Sequence, residues 1–258
     1  MKGKAVHREK HEFALFVESL SLLIQGKSSG NNIVVSDEKL LHRIITVLRL
    51  ESGDQCIFFD RHVHVSAVIV AIGKKQVELT IQSIVKNAVL HPTITFLLPL
   101  LKRDDYESAL YALTEVGVNT IQLVFTQKAT HQWAGSRENE RAQRILIAAA
   151  EQSKHFAYPQ VKEPISLEAA LQKYDAATKI FFDPQGKRFF EVMQTMHSNK
   201  SQEVLLLVGP EGDLNTEEKK LVQMNDFIFC ALTPTVIRAV QAAALGAGFV
   251  RSLLSNDE

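Results

Sequence analysis

The sequence predicts an α/β protein in two parts, a small β-barrel of residues 1–88 and a parallel-sheet α/β domain of residues 89–258. Three observations carry this expectation. Short β-branched and apolar runs separated by turn residues, with one helix among them, fill the first third of the chain. Around Lys86-Asn87-Ala88-Val89 the pattern switches to strands alternating with helices, the signature of a parallel sheet covered on both faces. The apolar run Leu205-Leu206-Leu207-Val208 stops abruptly in Gly209-Pro210-Glu211-Gly212. A buried strand that delivers such a turn at its carboxyl end is where open α/β sheets bind ligands.

The elements follow in order. Asn32-Ile33-Val34-Val35 is a short strand, and Asp37 caps a helix over Lys39–Leu48. Gly53-Asp54 is a turn. Cys56–Asp60, His62–Ile72 and Lys75–Val85 are strands, the last two joined by a hairpin at Gly73-Lys74. In the second part Thr93–Leu98 is a strand, and a helix from Asp104 ends at Gly117. Thr120–Phe125 is the next strand, and Arg137–Lys154 a long helix. Strands at Lys179–Phe182, Val204–Val208 and Phe227–Leu232 alternate with helices at Lys187–Met196, Thr216–Met224 and Val236–Leu254. Asn215 is placed to cap the helix at Thr216, with Glu218 three residues on to close a capping box.

Composition narrows the function classes. Hydrophobic residues make up 46% and charged residues 22%, an ordinary globular balance. No run approaches the roughly 18 apolar residues of a membrane span. The basic N-terminus Met1–Arg8 lacks the apolar core of a signal peptide. Cys56 and Cys230 each lie in an apolar run and read as buried thiols of a reducing, cytoplasmic environment. The net charge of zero hides an asymmetry. Residues 1–88 carry twelve Lys/Arg against nine Asp/Glu, and residues 89–258 seventeen against twenty. A basic module joined to an acidic one fits an RNA-touching part beside a different machine, although such offsets also occur without any nucleic acid.

Candidate chemistry gathers at the glycine turn. Two glycines let the backbone approach a ligand closely and the proline stiffens the turn between them, but an ordinary βα loop can share that pattern. Leu232-Thr233-Pro234-Thr235-Val236-Ile237-Arg238 leads into the alanine-rich stretch Ala239–Ala247. Arg238 is either a surface residue or a functional one, and the helix dipole disfavours a cation at a helix start. Glu211 is either a solvated turn residue or an organising one. His62 and His64 share a strand face, but no third ligand stands near for a metal. Arg137, Arg141 and Arg144 could meet phosphates or form a solvated helix face. Neither a Walker loop nor a Gly-x-Gly-x-x-Gly fingerprint is present.

Three further segments join these: Val47-Leu48-Arg49-Leu50 with Gly53-Asp54, Leu113-Thr114-Glu115-Val116-Gly117-Val118, and Glu151-Gln152-Ser153 followed by Pro159. In order and spacing the set resembles the bacterial 16S rRNA uridine-N3 methyltransferases of the SPOUT superfamily, from about residue 40 to the C-terminus. The resemblance implies a PUA-like β-barrel RNA-binding domain and a SPOUT α/β methyltransferase domain with a trefoil knot. It implies S-adenosylmethionine as cofactor and a homodimer whose active site forms across the two chains; with no third ligand beside His62 and His64 no metal is expected, and the two thiols point to the cytoplasm. The implied substrate is 16S rRNA of the small ribosomal subunit, and the product 3-methyluridine. It places the cofactor against Phe182, Asp183 and Pro184, against Val208, Gly209, Pro210, Glu211 and Gly212, and against Leu232, Thr233, Pro234 and Ile237. It gives Arg238 the reaction centre, and Arg49, Lys102, Arg103 and Lys128 the RNA. An apolar final helix, with Val240, Ala243, Ala244, Ala247 and Val250, also points to a buried dimer surface.

The chain departs from the family's pattern near this site. Asp213 stands where a further glycine is usual, Thr235 for an arginine, and Ala239-Val240-Gln241 for Thr-Glu-Thr. Asp105, His155 and the first residue of Lys128-Ala129 each replace an arginine. Two functions therefore stand: a methyltransferase, or a catalytically degenerate SPOUT dimer that binds RNA or pre-ribosomes without methyl transfer.

Overall fold

The computed structural model describes residues 12–129, 133–196 and 202–254. The basic segment Met1–Arg8 lies outside the described residues. The chain divides into two compact units, Met1–Asn87 and Ala88–Glu258.

The first unit is a five-stranded sheet in the order β1 (Phe13–Phe16), β3 (Gln55–Phe59), β4 (Val63–Ile72), β5 (Val77–Lys86), β2 (Asn32–Val35). Only the β1–β3 pairing is parallel. Alternate residues of β4 and β5, such as Val65, Ala67, Ile69, Val77, Leu79 and Ile81, enter one core with Leu15, Ile33 and Phe58. Strand β1 and the short helix α1 (Leu20–Leu23) were not foreseen: four-residue elements carry too little periodicity to declare themselves. The helix expected over Lys39–Leu48 is instead α2 (Glu38–His42) followed by a π-helical turn, Arg43–Val47. Asp37 caps it as expected, its side chain accepting from the Leu40 N–H at 2.8 Å.

The second unit is a six-stranded, wholly parallel sheet ordered β11, β9, β10, β6, β7, β8. These are β6 (Thr93–Pro99), β7 (Thr120–Phe125), β8 (Gln160–Ser166), β9 (Thr178–Arg188), β10 (Glu203–Val208) and β11 (Ile228–Ala231). Its helices are α3 (Arg103–Glu115), α4 (Ser136–Ser153), α5 (Leu167–Lys173), α6 (Phe189–Met196), α7 (Thr216–Met224) and α8 (Ala239–Leu254). Strand β10 is buried on both sides, so its sequence is a continuous apolar run rather than an alternating one. Leu205 and Leu207 join the core shared with Leu167 and Leu171 of α5 and Val222 of α7.

Four sequence expectations are corrected here. Strand β8 and helix α5 were not assigned; β8 is mostly exposed and polar, so its pairing rather than its hydrophobicity makes it a strand. Strand β9 does not end at Phe182–Pro184: its pairing to β10 stops at Phe182, but it runs on to Arg188 and pairs again with β11 after a register shift. The crossing is close, because a Cβ on Gly186 would lie 2.3 Å from the Phe229 carbonyl carbon. The last helix begins at Ala239 rather than Val236, which leaves Arg238 just before it.

Candidate ligand site at the carboxyl ends of three strands

A cavity of about 720 Å³ opens where β9, β10 and β11 end or bend away. Strand β9 contributes Phe182, Asp183 and Pro184, and β10 delivers Val208, Gly209, Pro210 and Glu211. The segment after β11 brings Leu232, Thr233, Ile237 and Arg238. Local sequence explains each arrival. An apolar strand must end where the proline turn begins, and the capping box of Asn215 and Glu218 fixes where α7 starts. The same two side chains also grip the loop after β7: Gln127 donates its backbone N–H to Glu218 at 2.8 Å, and the Asn215 amide donates to the Gln127 side chain at 2.7 Å.

Sequence reasoning missed the cation that ties this cavity together. Lys219, on the first turns of α7, donates from Nζ to Asp183 Oδ2 at 2.6 Å and to Asp213 Oδ2 at 2.6 Å. Asp183 is only 2% exposed, so the lysine supplies the partner that a buried carboxylate requires. Burial alone would lower the Lys219 pKa, but the hydrogen bonds to the two carboxylates outweigh it and hold the ammonium above its usual range. No sequence signal marked Lys219, because its partners lie 36 residues upstream and six residues back on another turn. Asp213, where the resembled family has glycine, adopts φ 58°, a left-handed backbone that aspartate tolerates better than most residues. Its Oδ1 accepts from the Leu214 N–H at 2.7 Å.

The remaining site residues are placed as follows. Glu211 Oε1 accepts the Lys102 backbone N–H at 2.8 Å, which joins the glycine turn to the start of α3. Arg238 lies 3.6 Å from Asp105 through Nη1 and donates from Nε to Gln241 Oε1 at 3.2 Å. Both partners are positions at which the chain departs from the family pattern. Lys102 lines the cavity, whereas Arg103 pairs along α3 with Glu107 at 3.4 Å. Arg141 of α4 also pairs with Glu107. Lys128 donates to the Gly212 carbonyl at 2.8 Å. Gly212 and Pro234 lie outside the cavity lining. A Cβ on Gly212 would meet Lys128 at 3.2 Å, so this glycine packs against a lysine stem. Arg49, in the first unit, is exposed, holds φ 53° and borders a separate cavity of about 470 Å³ with Phe13, Leu50 and Asp54.

His64 Nδ1 meets the Asn87 side-chain oxygen at 2.8 Å. Among the described residues no group of three or more His, Cys, Asp or Glu side chains could hold a metal ion. No described helix is long and apolar enough to cross a membrane.

A parallel α/β domain with its cavity at the carboxyl strand ends, following a small β module in the sequence, defines a class of ligand-binding α/β proteins. The chain belongs to the family described as the RNA methyltransferase domain, matched over residues 89–250. Residues 38–82 match the PUA domain of RNA methyltransferases. Among curated relatives, ribosomal RNA small subunit methyltransferase E of Rickettsia conorii is 24% identical over 90% of this chain and 94% of its own length. The protein of the same name from Bacillus subtilis is 25% identical over 78% of this chain and 83% of its own. The crystal structure of ribosomal RNA small subunit methyltransferase E from Neisseria gonorrhoeae, bound to S-adenosyl methionine, superposes with a TM-score of 0.78 at 21% identity. That likeness covers 94% of this chain and 98% of the other, and establishes a shared fold.

Proposed function

We propose that this protein transfers a methyl group from S-adenosylmethionine to N3 of one uridine in 16S rRNA of the small ribosomal subunit, acting as a cytoplasmic homodimer. The observation that carries the reading is the cavity at the ends of β9, β10 and β11 in a chain of the RNA methyltransferase family. The residues there fit the cofactor. Asp183, Glu211 and Asp213 line the cavity with Lys102 and Lys219, one carboxylate more than the cations, which suits a ligand whose sulfonium, ammonium and carboxylate leave one net positive charge. Phe182, Val208, Leu232 and Ile237 supply apolar walls for an adenine.

In this reading Gly209 and Pro210 let main-chain groups approach the cofactor, and Asp183, held by Lys219, lies beside them. When bound, the cofactor supplies an already activated methyl group. The protein therefore mainly positions reactants and handles one proton. Arg238, 71% exposed at the cavity mouth, would meet the uridine or its phosphate. Because N3 faces the Watson–Crick edge, the base must be unpaired or extruded to enter. Lys102 would meet the RNA from beside this mouth, and Arg49 from the PUA module. The threading that the family resemblance assigns to the loops after β9, β10 and β11 would hold the cofactor in its bent shape.

One observation favours the second reading, an RNA-binding dimer without catalysis: Arg238 is tethered by Asp105 and Gln241, and the last helix opens with Ala239-Val240. Calorimetry with S-adenosylmethionine, followed by transfer of a labelled methyl group to unmodified small-subunit rRNA, separates the two. Binding with transfer supports the enzyme. Binding of RNA without transfer supports the silent dimer.

A further inference from the structure

Four carboxylates line the cavity, and three are committed to the fold. Glu211 accepts the Lys102 N–H. Asp183 accepts from Lys219 and from the Gln185 N–H. Asp213 accepts from Lys219 and the Leu214 N–H. Asp105 differs: it pairs with Arg238 at 3.6 Å, a looser approach than any of the others. It sits on the first turn of α3, with 24% of its side chain exposed, and it lines the cavity together with Arg238. Among the described residues no histidine or tyrosine lines the cavity, and burial pushes the Cys230 thiol there up to about 12.

We propose that Asp105 is the group that accepts the N3 proton of the target base. The inference rests on the methyl-transfer reading above. As the nitrogen forms its bond to the methyl carbon, the sulfur–carbon bonding pair stays with sulfur. The N–H proton passes to an Asp105 carboxylate oxygen, and the N–H pair returns to nitrogen. A sulfonium and a carboxylate thereby become a neutral thioether and a neutral carboxylic acid, so charge and electrons balance without another reactant.

The surroundings suit that role. Arg238 faces Asp105 from the segment before α8. Along its own helix stand Lys102, Arg103 and Asp104, with Arg103 drawn towards Glu107. From α4, Arg141 is engaged with Glu107. The first two turns of α8, Ala239–Gly246, bring no titratable group. The proton therefore has one destination among the described cavity-lining side chains that does not break a contact holding the loops together.

The test uses the full-length protein with S-adenosylmethionine and unmodified small-subunit rRNA. D105N should lower the methyl-transfer rate at neutral pH by about 100-fold or more, within the range of general-base catalysis. The deficit should shrink as pH rises towards the range in which uridine N3 ionises by itself. D105E should recover most of the rate. Cofactor affinity by calorimetry and RNA affinity by filter binding should both stay within about twofold of wild type. Asp105 is the third residue of α3, where a carboxylate is only modestly favoured over a neutral side chain, so thermal melting should fall by no more than a few degrees. D105N at wild-type rate, or a deficit that stays constant with pH, overturns the proposal and leaves Asp105 as a tether for Arg238. A wild-type protein that binds no cofactor or transfers no methyl group instead sinks the reading on which the proposal stands.

Discussion

At the scale of single residues, the two turn glycines do different work. A Cβ at Gly209 would meet the Asp213 carboxylate at 2.8 Å, and that carboxylate is held by Lys219 and by the Leu214 N–H. A Cβ at Gly212 would meet only the stem of Lys128, a flexible side chain that can yield. Gly209→Ala should therefore weaken S-adenosylmethionine binding at least tenfold, and Gly212→Ala by about twofold at most, which calorimetry on the two variants would read. Equal losses would mean that the turn, not the cavity, is what the glycines serve. Arg238→Ala should leave cofactor affinity nearly intact and lower methyl transfer by about 100-fold, the order found when one donor to a developing charge is removed. An unchanged rate would remove Arg238 from the reaction centre.

Between elements, isolated polar groups act as fasteners. Lys219 joins α7 to the bend of β9 and to the turn after β10. Lys219→Met would leave Asp183 buried without its cation, and the cost should be about 1–3 kcal/mol, below the usual value for a buried pair because the lysine is partly exposed. Chemical denaturation would measure it. In the first unit Asp60 anchors α1 to the β3–β4 turn. It accepts from the Ser21 hydroxyl at 2.5 Å and from the N–H groups of Ser21, His62 and Val63. Burial would raise its pKa, but these donors outweigh burial and hold the carboxyl below its usual range. A carboxylate depressed in the folded state contributes stability above the unfolded value of about 3.9 and loses it as pH falls through the folded value. Asp60→Asn should cost about 1–3 kcal/mol at pH 7 and progressively less under acid, read from melting curves taken from pH 7 down to about 3. A penalty that does not change with pH would show that the charge of Asp60 is irrelevant.

For the molecule as a whole, the open question is its second copy. Helix α8 spends Val240, Ala243, Ala247 and Val250 on its own domain, while Phe249 and Leu253 each stay 38% exposed. The Phe249 ring lies 5.0 Å from that of Phe189, beside Phe190, which is 70% exposed. Exposed apolar side chains such as these are what the proposed homodimer would cover. Light scattering should give twice the chain mass at micromolar concentration, and a monomer would remove the homodimer from the proposed function.

What the sequence determined by itself is local or periodic. The bounds of β2 and α7, the Asp37 cap and the Asn215–Glu218 capping box are written in neighbouring residues, because backbone conformation and capping bonds depend on side chains within one turn. The glycine turn at the end of β10 was legible for the same reason. Strand β8 and the extension of β9 to Arg188 were not, since a polar strand exists only through the strand it pairs with. The tertiary structure alone decided that Glu211 meets Lys102 across 109 residues, that Lys219 closes on Asp183, and that Asp105 faces Arg238. Such pairings carry no periodicity. They exist because parallel strands, which must be joined by long crossovers, bring distant loops to one edge of the sheet.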